Sequence, residues 1–210
     1  MKQIAIAITA LALLSASTNA QKISAVPQTQ GVTISGTTVL ALGFRITGPG
    51  VAPEIKTENG QGLGIEIGFG FTPRLQVFAS ADLAKQRSNF QSLDGNMGLA
   101  HIELGARLAF PQAGRRAVPY LSAQIGGQAL GARSIEGESE GTIRIWGTHV
   151  GGGAGVLYAL SPALAIDAGV IGSRGKFGKA ELLGERNTSG DVDVNSSTTV
   201  RLKVGFTWHP

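Results

Sequence analysis

The C-terminal stretch 198–208 constrains the fold most, because apolar and polar side chains alternate along it with a period of two. One face carries Val200, Leu202, Val204, Phe206 and Trp208. The opposite face carries Arg201, Lys203, Gly205 and Thr207. This alternation over about ten residues is typical of a β-strand with one apolar and one polar face, and the terminal tryptophan indicates a membrane–water interface.

Seven earlier segments repeat this pattern, so the sequence predicts eight strands. They cover residues 38–46, 62–71, 75–83, 100–110, 121–129, 146–158, 164–171 and 198–208. Long polar loops follow strands one, three, five and seven, whereas short turns containing proline follow strands two, four and six. This order predicts an all-β fold, an eight-stranded antiparallel up-and-down transmembrane β-barrel with the short turns and both termini on the periplasmic side.

The sixth strand is the least regular of the eight. Its outer face runs from Trp146 to Tyr158, and this assignment leaves Ile143 and Ile145 out of phase. The sequence therefore predicts a bulge near Ile145, because one extra residue in a strand shifts the alternation.

The first twenty residues have the features of a secretory signal peptide. Lys2 precedes an apolar run that ends at Leu14, and small residues lead to a cleavage site after Ala20. The run is too short to cross about 30 Å of hydrocarbon, and no later window is apolar enough for a membrane-spanning helix. The predicted organisation is a signal peptide at 1–20, an N-terminal periplasmic segment at 21–36 and an outer-membrane β-barrel domain at 37–210.

Composition excludes several classes of protein. Glycine is abundant, at 31 of 210 residues, but without a Gly-X-Y period, and apolar residues are too frequent for disorder. Cysteine is absent, which excludes disulfides, thiolate nucleophiles and cysteine-ligated metals. The formal net charge is only +4 and no cluster of Lys and Arg occurs, so we expect no nucleic-acid partner.

The polar face of the predicted strands carries charges that balance. Four cations and four anions lie on it: Arg45, Glu66, Asp82, Glu103, Arg107, Asp167, Arg201 and Lys203. His101 shares this face. Charges enclosed in a narrow barrel must pair or stay hydrated, whereas scattered surface charge has no need to balance. The pattern therefore predicts a lumen charge network, and it argues against a soluble barrel, which turns its apolar side chains inward.

Aromatic residues at the strand ends support the same orientation. At the short-turn end of the apolar face lie Phe69, Phe71, Phe110, Tyr158 and Trp208, and toward the long-loop end lie Phe44 and Trp146. A strand running from Trp146 to Tyr158 with a tilt near 40° spans roughly 30 Å along the barrel axis. The sequence thus predicts two aromatic girdles, one at each membrane interface.

The closing segment 203–208 combines a polar residue, a glycine and spaced apolar or aromatic residues. It resembles the C-terminal assembly signal of the small outer-membrane β-barrel proteins of Gram-negative bacteria, of the OmpA transmembrane-domain and OmpX kind, although His209 and Pro210 follow the aromatic. The chain is similar to that family in pattern over nearly all of its mature length. The resemblance implies location in the outer membrane and contact with outer-membrane lipid, lipopolysaccharide and the outer-membrane assembly machinery.

The resemblance also implies an enzymatic alternative, since the family includes barrels that modify lipid A with a histidine and a serine near the outer rim. His101 lies near the outer end of strand four, where Ser80 or Glu103 is a conceivable partner. A histidine within the lumen network is the favoured interpretation, and the chain has no G-x-S-x-G motif. We therefore expect no catalytic residues.

Two further motifs are incomplete as ligand sites. The glycine run 151–155 lacks the Gly-Lys-Ser/Thr of a phosphate-binding loop. The stretch 191–195 has the spacing of a calcium loop at its first three positions but lacks the glycine and the closing glutamate. The sequence thus predicts no cofactor and no metal site.

These observations predict a monomeric, non-enzymatic outer-membrane protein that acts as a structural or surface-interaction element through its extracellular loops. Eight-stranded interiors are just wide enough to be filled by side chains. We therefore expect a lumen plugged by ion pairs, among them Asp167 with Lys203. A small pore or a lipid-modifying enzyme of the same architecture is the alternative, and the sequence does not identify the partner of the loops.

Overall fold

The structure is a computed structural model that describes residues 29–47, 55–56, 59–87, 93–136, 139–183, 188–190 and 194–210, with only the backbone described at some strand ends. Eight long strands form the fold: β1 (Gly31–Thr47), β2 (Gly60–Gly70), β3 (Leu75–Arg87), β4 (Leu93–Ala109), β5 (Ala117–Glu136), β6 (Ser139–Ala159), β7 (Leu164–Leu183) and β8 (Val194–Trp208). Two short segments, Ile55–Lys56 and Thr188–Gly190, pair with β1 and β7. None of the described residues forms a helix long and apolar enough to cross a membrane.

The eight strands close into an antiparallel barrel, which confirms the predicted fold class. Each strand pairs with the next one along the chain, and β8 returns to pair with β1, so that Ile34 lies opposite Trp208. The same residue of β1 lies opposite Ile67 of β2 on its other side. Because both edges of β1 are occupied, the barrel leaves no unpaired sheet edge between these strands.

The three short turns lie at the end of the barrel where β1 begins and β8 ends. In the β2–β3 turn the Thr72 hydroxyl accepts hydrogen bonds from the backbone N–H groups of Arg74 (3.2 Å) and Leu75 (2.9 Å). In the β6–β7 turn the Ser161 hydroxyl accepts one from Ala163 (3.3 Å). These side chains satisfy backbone groups that the strand ladder leaves free.

Several strands are longer than their apolar alternation predicts. The pairing of β5 with β6 continues without interruption from Ala117 and Tyr158 to Glu136 and Ser139, and β7 extends to Leu183. Much of the polar sequence predicted as long loops is therefore strand, because backbone hydrogen bonding needs no apolar side chains. Residues 137–138, within the acidic loop, lie outside the described residues.

The N-terminal boundary of the barrel also differs from the prediction. Strand β1 begins at Gly31 rather than at residue 37, and the side chains of Thr33 and Ser35 are buried in the interior. The Ser35 hydroxyl lies 2.9 Å from that of Thr207 across the β1–β8 seam. The predicted signal peptide at 1–20, like residues 21–28 of the predicted periplasmic segment, lies outside the described residues.

The predicted bulge near Ile145 in the sixth strand is wrong. Strand β6 keeps its register with β5 through Ile145, and the irregularity lies in its pairing with β7. There Trp146 pairs with Lys179 and Gly147 with Phe177, so that the extra residue is Gly178. Ile145 and Gly147 therefore both face the lumen. Ile145 does not fit the apolar outer face because it is an apolar residue on the lumen face.

The outer wall of the barrel is apolar. Large hydrophobic side chains on all eight strands are exposed there, with Leu63 the most exposed at 73%. Six of the seven predicted girdle residues lie on this wall: Phe69, Phe71, Phe110, Trp146, Tyr158 and Trp208. The rings of Phe69 and Phe71 make an edge-to-face contact with centroids 5.1 Å apart. Such an exposed apolar surface is suited to lipid rather than to water.

Glycines at the seam that closes the barrel permit a close approach of backbones. A Cβ added at Gly205 would overlap the carbonyl oxygen of Gly36 and approach the Cα of Thr37. A Cβ added at Gly36, on the same seam, would meet no atom within 4 Å. The two positions thus form a matched pair for testing how tightly β8 packs against β1.

We expect Gly205→Ala to lower the free energy of unfolding by about 1–3 kcal/mol, because the facing backbone must move. Gly36→Ala should change it by no more than about 0.5 kcal/mol. Both can be measured by denaturant unfolding in detergent micelles. Equal unfolding midpoints for the two variants would contradict the close approach at Gly205.

Candidate functional site

The lumen is filled by polar and charged side chains from all eight strands. Eight of the nine residues predicted for the lumen network lie there: Glu66, Asp82, His101, Glu103, Arg107, Asp167, Arg201 and Lys203. Seven of them are at most 9% exposed, and Lys203 is partly buried. They group into two clusters: an outer cluster around Arg201, and a cluster around Arg107 nearer the short turns, called periplasmic because the sequence predicts that this end faces the periplasm.

The ninth predicted lumen residue, Arg45, lies outside, and this prediction is wrong. The pairing of β1 with β8 shifts between Ala41 and Phe44, where β1 contains one extra residue. Beyond this bulge Arg45 pairs with Thr198, and both side chains are exposed. A bulge of one residue moves every later side chain to the other face of the sheet. The side chain of Phe44, predicted for a girdle, lies outside the described part of the structure.

The outer cluster is organised by Arg201, whose side chain is fully buried. Its guanidinium donates from Nη1 to Asp82 Oδ2 (2.5 Å) and from Nη2 to Glu103 Oε1. The Lys203 ammonium lies 3.0 Å from Asp82 Oδ2 and 3.7 Å from Glu103 Oε2. Two buried carboxylates from neighbouring strands are thus held by two cations that β8 supplies across the lumen.

Two histidines complete this cluster. His101 Nδ1 lies 3.0 Å from Asp82 Oδ1, and His149 Nε2 lies 2.8 Å from Glu103 Oε1. The two rings make an edge-to-face contact with centroids 5.1 Å apart. With Arg45 outside, the described lumen holds four carboxylates and three cations, and each imidazole contacts one of the carboxylates in the outer cluster.

The partner predicted for His101 is wrong. Asp82, and not Ser80 or Glu103, accepts its hydrogen bond, because Asp82 lies directly opposite His101 in the β3–β4 ladder. Directly opposite side chains are about 5 Å apart, closer than neighbours on the same face of one strand. Ser80 instead donates to Glu103 Oε2 (3.3 Å).

The periplasmic cluster surrounds Arg107. Its guanidinium donates to Glu66 (2.9 Å), lies 3.5 Å from Asp167 Oδ2 and stacks at 4.4 Å on the ring of Tyr120. The Tyr120 hydroxyl donates to Asp167 Oδ1 (2.7 Å). The predicted ion pair between Asp167 and Lys203 is therefore wrong, because Arg107 and Tyr120 hold the carboxylate and Lys203 contacts the outer cluster.

Large inward rings fit because glycines face them. A Cβ added at Gly155 or Gly169 would overlap the ring or hydroxyl of Tyr120, and one added at Gly105 would overlap the ring of Phe78. Inward glycines thus make room for lumen side chains, as expected where an interior is crowded.

Apolar side chains occupy the lumen beyond the charges at both ends. Toward the outer end the buried residues include Val39, Ala41, Ala84, Met97, Leu99, Leu130 and Phe177. Toward the periplasmic end they include a packed group, Ala109, Val118, Tyr120 and Leu157. The ion pairs are thereby separated from bulk water, which strengthens each attraction and raises the cost of leaving a charge unpaired.

A cavity of about 20 Å³ lies beside the charges, lined by side chains that include Glu66, Arg107, Asp167 and Lys203. This volume is sufficient for about one water molecule.

Among the described residues, no three His, Asp or Glu side chains converge as metal ligands.

The periplasmic mouth is bordered by His209. Its backbone N–H donates to the carbonyl of Ala163 (2.8 Å), and its imidazole is buried. Burial, and to a smaller extent the positive charge of Arg107, lowers the pKa of His209 below its usual 6.5. The ring is therefore favoured in its neutral form, which adds no further cation to the periplasmic cluster.

Three residues of the lumen, His149, Tyr120 and Gln76, are not among the predicted members of the network. All three side chains are buried on the inward faces of their strands, and Gln76 accepts a hydrogen bond from Arg107 (3.1 Å) and donates to Thr33 (2.6 Å). Tyr120 lies two residues before Ser122 on the same face of β5. Gln76 and His149 have inward parity within the predicted strands 75–83 and 146–158, so the alternation itself places them in the lumen. Tyr120 lies one residue before the predicted strand 121–129, and extending the alternation by that residue includes it.

Removing Arg201 should leave the negative charges of Asp82 and Glu103 with too little positive charge beside them. We expect Arg201→Met to lower the free energy of unfolding by about 3–5 kcal/mol, as found when one partner of a buried ion pair is lost. Arg174→Met, on the exposed outer wall, should change it by at most about 0.5 kcal/mol. The measurement is denaturant unfolding of both variants in the same micelles.

Adding Glu103→Gln to Arg201→Met should restore part of the loss, because one uncompensated charge is removed. Equal stability of the Arg201 and Arg174 variants, or no recovery in the double variant, would contradict the assigned role of the cluster.

Comparison with known proteins agrees with this geometry. Residues 6–207 match the family model described as outer membrane protein beta-barrel domain. No curated protein sequence matches the chain.

Three similar solved structures are small barrels. Neisserial surface protein A is 18% identical with a TM-score of 0.58, covering 85% of this chain and 97% of its own. The outer membrane protein OprG of Pseudomonas aeruginosa is 15% identical with a TM-score of 0.60, covering 87% and 97%. Ail, the attachment invasion locus protein of Yersinia pestis, is 14% identical with a TM-score of 0.50, covering 85% and 99%. At these identities the likeness concerns the fold.

Proposed function

The chain belongs to the outer membrane protein β-barrel domain family, and we propose that it acts as a closed scaffold that presents its outer hairpins at the cell surface. The observation that carries this proposal is the lumen filled by two ion-pair clusters between apolar layers. We further propose that residues 1–20 direct export and that the mature chain is a monomer.

The closed lumen argues against transport through the barrel. Arg201 joins β8 to β3 and β4 across the interior, and Arg107 joins β4 to β2 and β7. Moving either guanidinium would uncover buried carboxylates, which is costly in a site closed to water. A static plug is therefore favoured over a small pore.

The position of His101 supports a non-enzymatic function. Its side chain is 2% exposed and bound to Asp82 inside the closed lumen, away from the lipid-facing wall. A residue that modifies a membrane lipid must reach the reacting group within hydrogen-bonding distance. From this position His101 reaches no lipid.

The outer hairpins supply the surface for interaction. Strand β5 has 20 residues, which at a tilt near 40° rise about 50 Å along the barrel axis, whereas the apolar band of such barrels is about 25 Å tall. Strands β5, β6 and β7 therefore project well beyond the membrane. This projection forms a paired sheet that a partner can contact from outside.

Thiol labelling tests whether water fills the lumen. The chain has no cysteine, so a single introduced thiol is the only one that reacts. Ser80→Cys places a thiol beside Glu103 in the outer cluster, and Thr72→Cys places one in the exposed β2–β3 turn. We expect a charged methanethiosulfonate reagent to label Thr72→Cys in the folded protein and Ser80→Cys only after unfolding.

The labelling should be done in detergent micelles, where both mouths of the barrel face water. Unboiled gel mobility should first show that each variant is folded. Comparable labelling rates for the two folded variants would favour the pore and contradict the plug.

A further inference from the structure

The chain stays ordered beyond the last strand, at the short-turn end of the barrel. Strand β8 ends at Trp208, and the hydrogen bond from the His209 N–H to the Ala163 carbonyl (2.8 Å) extends its pairing with β7 by one residue. On β8 the side chains of Arg201 and Thr207 are buried in the lumen, and His209 has the same parity. Its imidazole, 7% exposed, therefore lies at the periplasmic mouth of the lumen.

A second residue covers the mouth on the other side of β1. The register of β1 with β8 places Thr33, itself buried, opposite His209. Just before β1, the Thr29 hydroxyl donates to the carbonyl of Pro73 in the β2–β3 turn (2.6 Å), and the Thr29 side chain is buried. The mouth is thus covered by Thr29 toward β2 and by His209 toward β7, and we call these two residues the periplasmic cap.

The imidazole of the cap is buried without a polar contact. Neither ring nitrogen of His209 has a hydrogen-bond partner among the described residues. Burying a neutral polar group in this way has a moderate cost, whereas burying an unpaired charge costs far more. The position of the ring therefore suits the neutral imidazole and disfavours the imidazolium.

The charged groups on this side of the lumen do not offset a proton on the ring. The carboxylates of Glu66 on β2 and Asp167 on β7 contact Arg107 on β4 (2.9 and 3.5 Å). Tyr120 on β5 donates to Asp167. The three short turns contain arginine but neither Asp nor Glu. A proton on His209 would therefore add a second cation on the side of Arg107, without a carboxylate of its own.

We propose that His209 is a pH-sensitive cap on the periplasmic mouth, which the neutral ring closes and the protonated ring leaves for water. A small movement suffices, because His209 follows the last strand, where few hydrogen bonds must break. The inference goes beyond the scaffold function, since it concerns the mouth and does not depend on whether the outer cluster is closed.

The cap should be closed at neutral pH and released in acid. Burial, and to a smaller extent Arg107, lowers the pKa of the capped His209, whereas the released ring in water has a pKa near 6.5. As the pH falls below about 6.5, protonation therefore favours the released form, by at most about tenfold for each pH unit. This gain ends at the pKa of the capped ring.

Thiol labelling behind the cap tests the proposal in the refolded protein in micelles. Ala165 on β7 is 0% exposed, pairs with Thr207 and lies two residues inward from Ala163. We expect a charged methanethiosulfonate reagent to label Ala165→Cys faster at pH 5 than at pH 7.5 by about tenfold, relative to the exposed Thr72→Cys. The ratio of the two rates removes the effect of pH on the thiol itself.

Two further variants assign the response to the imidazole of the cap. His209→Gln, whose side chain does not titrate, should make the labelling ratio independent of pH. Adding Gln112→His, in the exposed β4–β5 turn, returns a histidine to the same end of the barrel and should not restore the response. A second readout needs no substitution: protection of the His209 amide from hydrogen exchange should fall between pH 7.5 and pH 5.

Three outcomes would overturn the proposal: an equal labelling ratio at both pH values, an acid response that persists in His209→Gln, or acid labelling of Ser80→Cys as fast as that of Ala165→Cys. The last would show that the whole barrel loosens. Labelling of Ser80→Cys at pH 7.5 would instead contradict the closed lumen, and the response at Ala165→Cys would still decide on the cap. Unboiled gel mobility at both pH values provides the control for folding.

Discussion

The contact between Arg201 and the carboxylates of Asp82 and Glu103 is the interaction on which the rest of the lumen depends. It joins β8 to the neighbouring strands β3 and β4 across the lumen. Two carboxylates so close together and away from water repel each other strongly, so a cation between them is required. The inward glycines, the two imidazoles and the apolar layers at both ends are arranged around this requirement.

The described carboxylates and the described cations differ in where they lie. The described carboxylates are enclosed, whereas cations lie both inside and on the outer wall. Enclosed carboxylates fix the positions of Arg107, Arg201 and Lys203, which are thereby unavailable to external anions. Other cations, among them Lys85, Arg87 and Arg174, lie exposed on the outer wall.

The alternation of period two was sufficient to predict the number of strands, their order and the face on which most lumen residues lie. It failed for Arg45, because a bulge adds a residue without any change that the local sequence marks. It also failed for the partners of His101 and Asp167. Partners across a barrel depend on the stagger between strands, and alternation within one strand contains no information about stagger. The predicted strands were also too short, because the polar segments that follow the apolar alternation remain hydrogen-bonded to their neighbouring strands.

The most direct test of the closed lumen is the conductance of the folded protein in planar lipid bilayers. Insertion should be verified independently by protection of the strands from protease. A lumen filled by the two clusters predicts no steady conductance above that of the bare bilayer over the voltage range in which the bilayer is stable. A reproducible, steady, ohmic channel from the inserted protein would contradict the account.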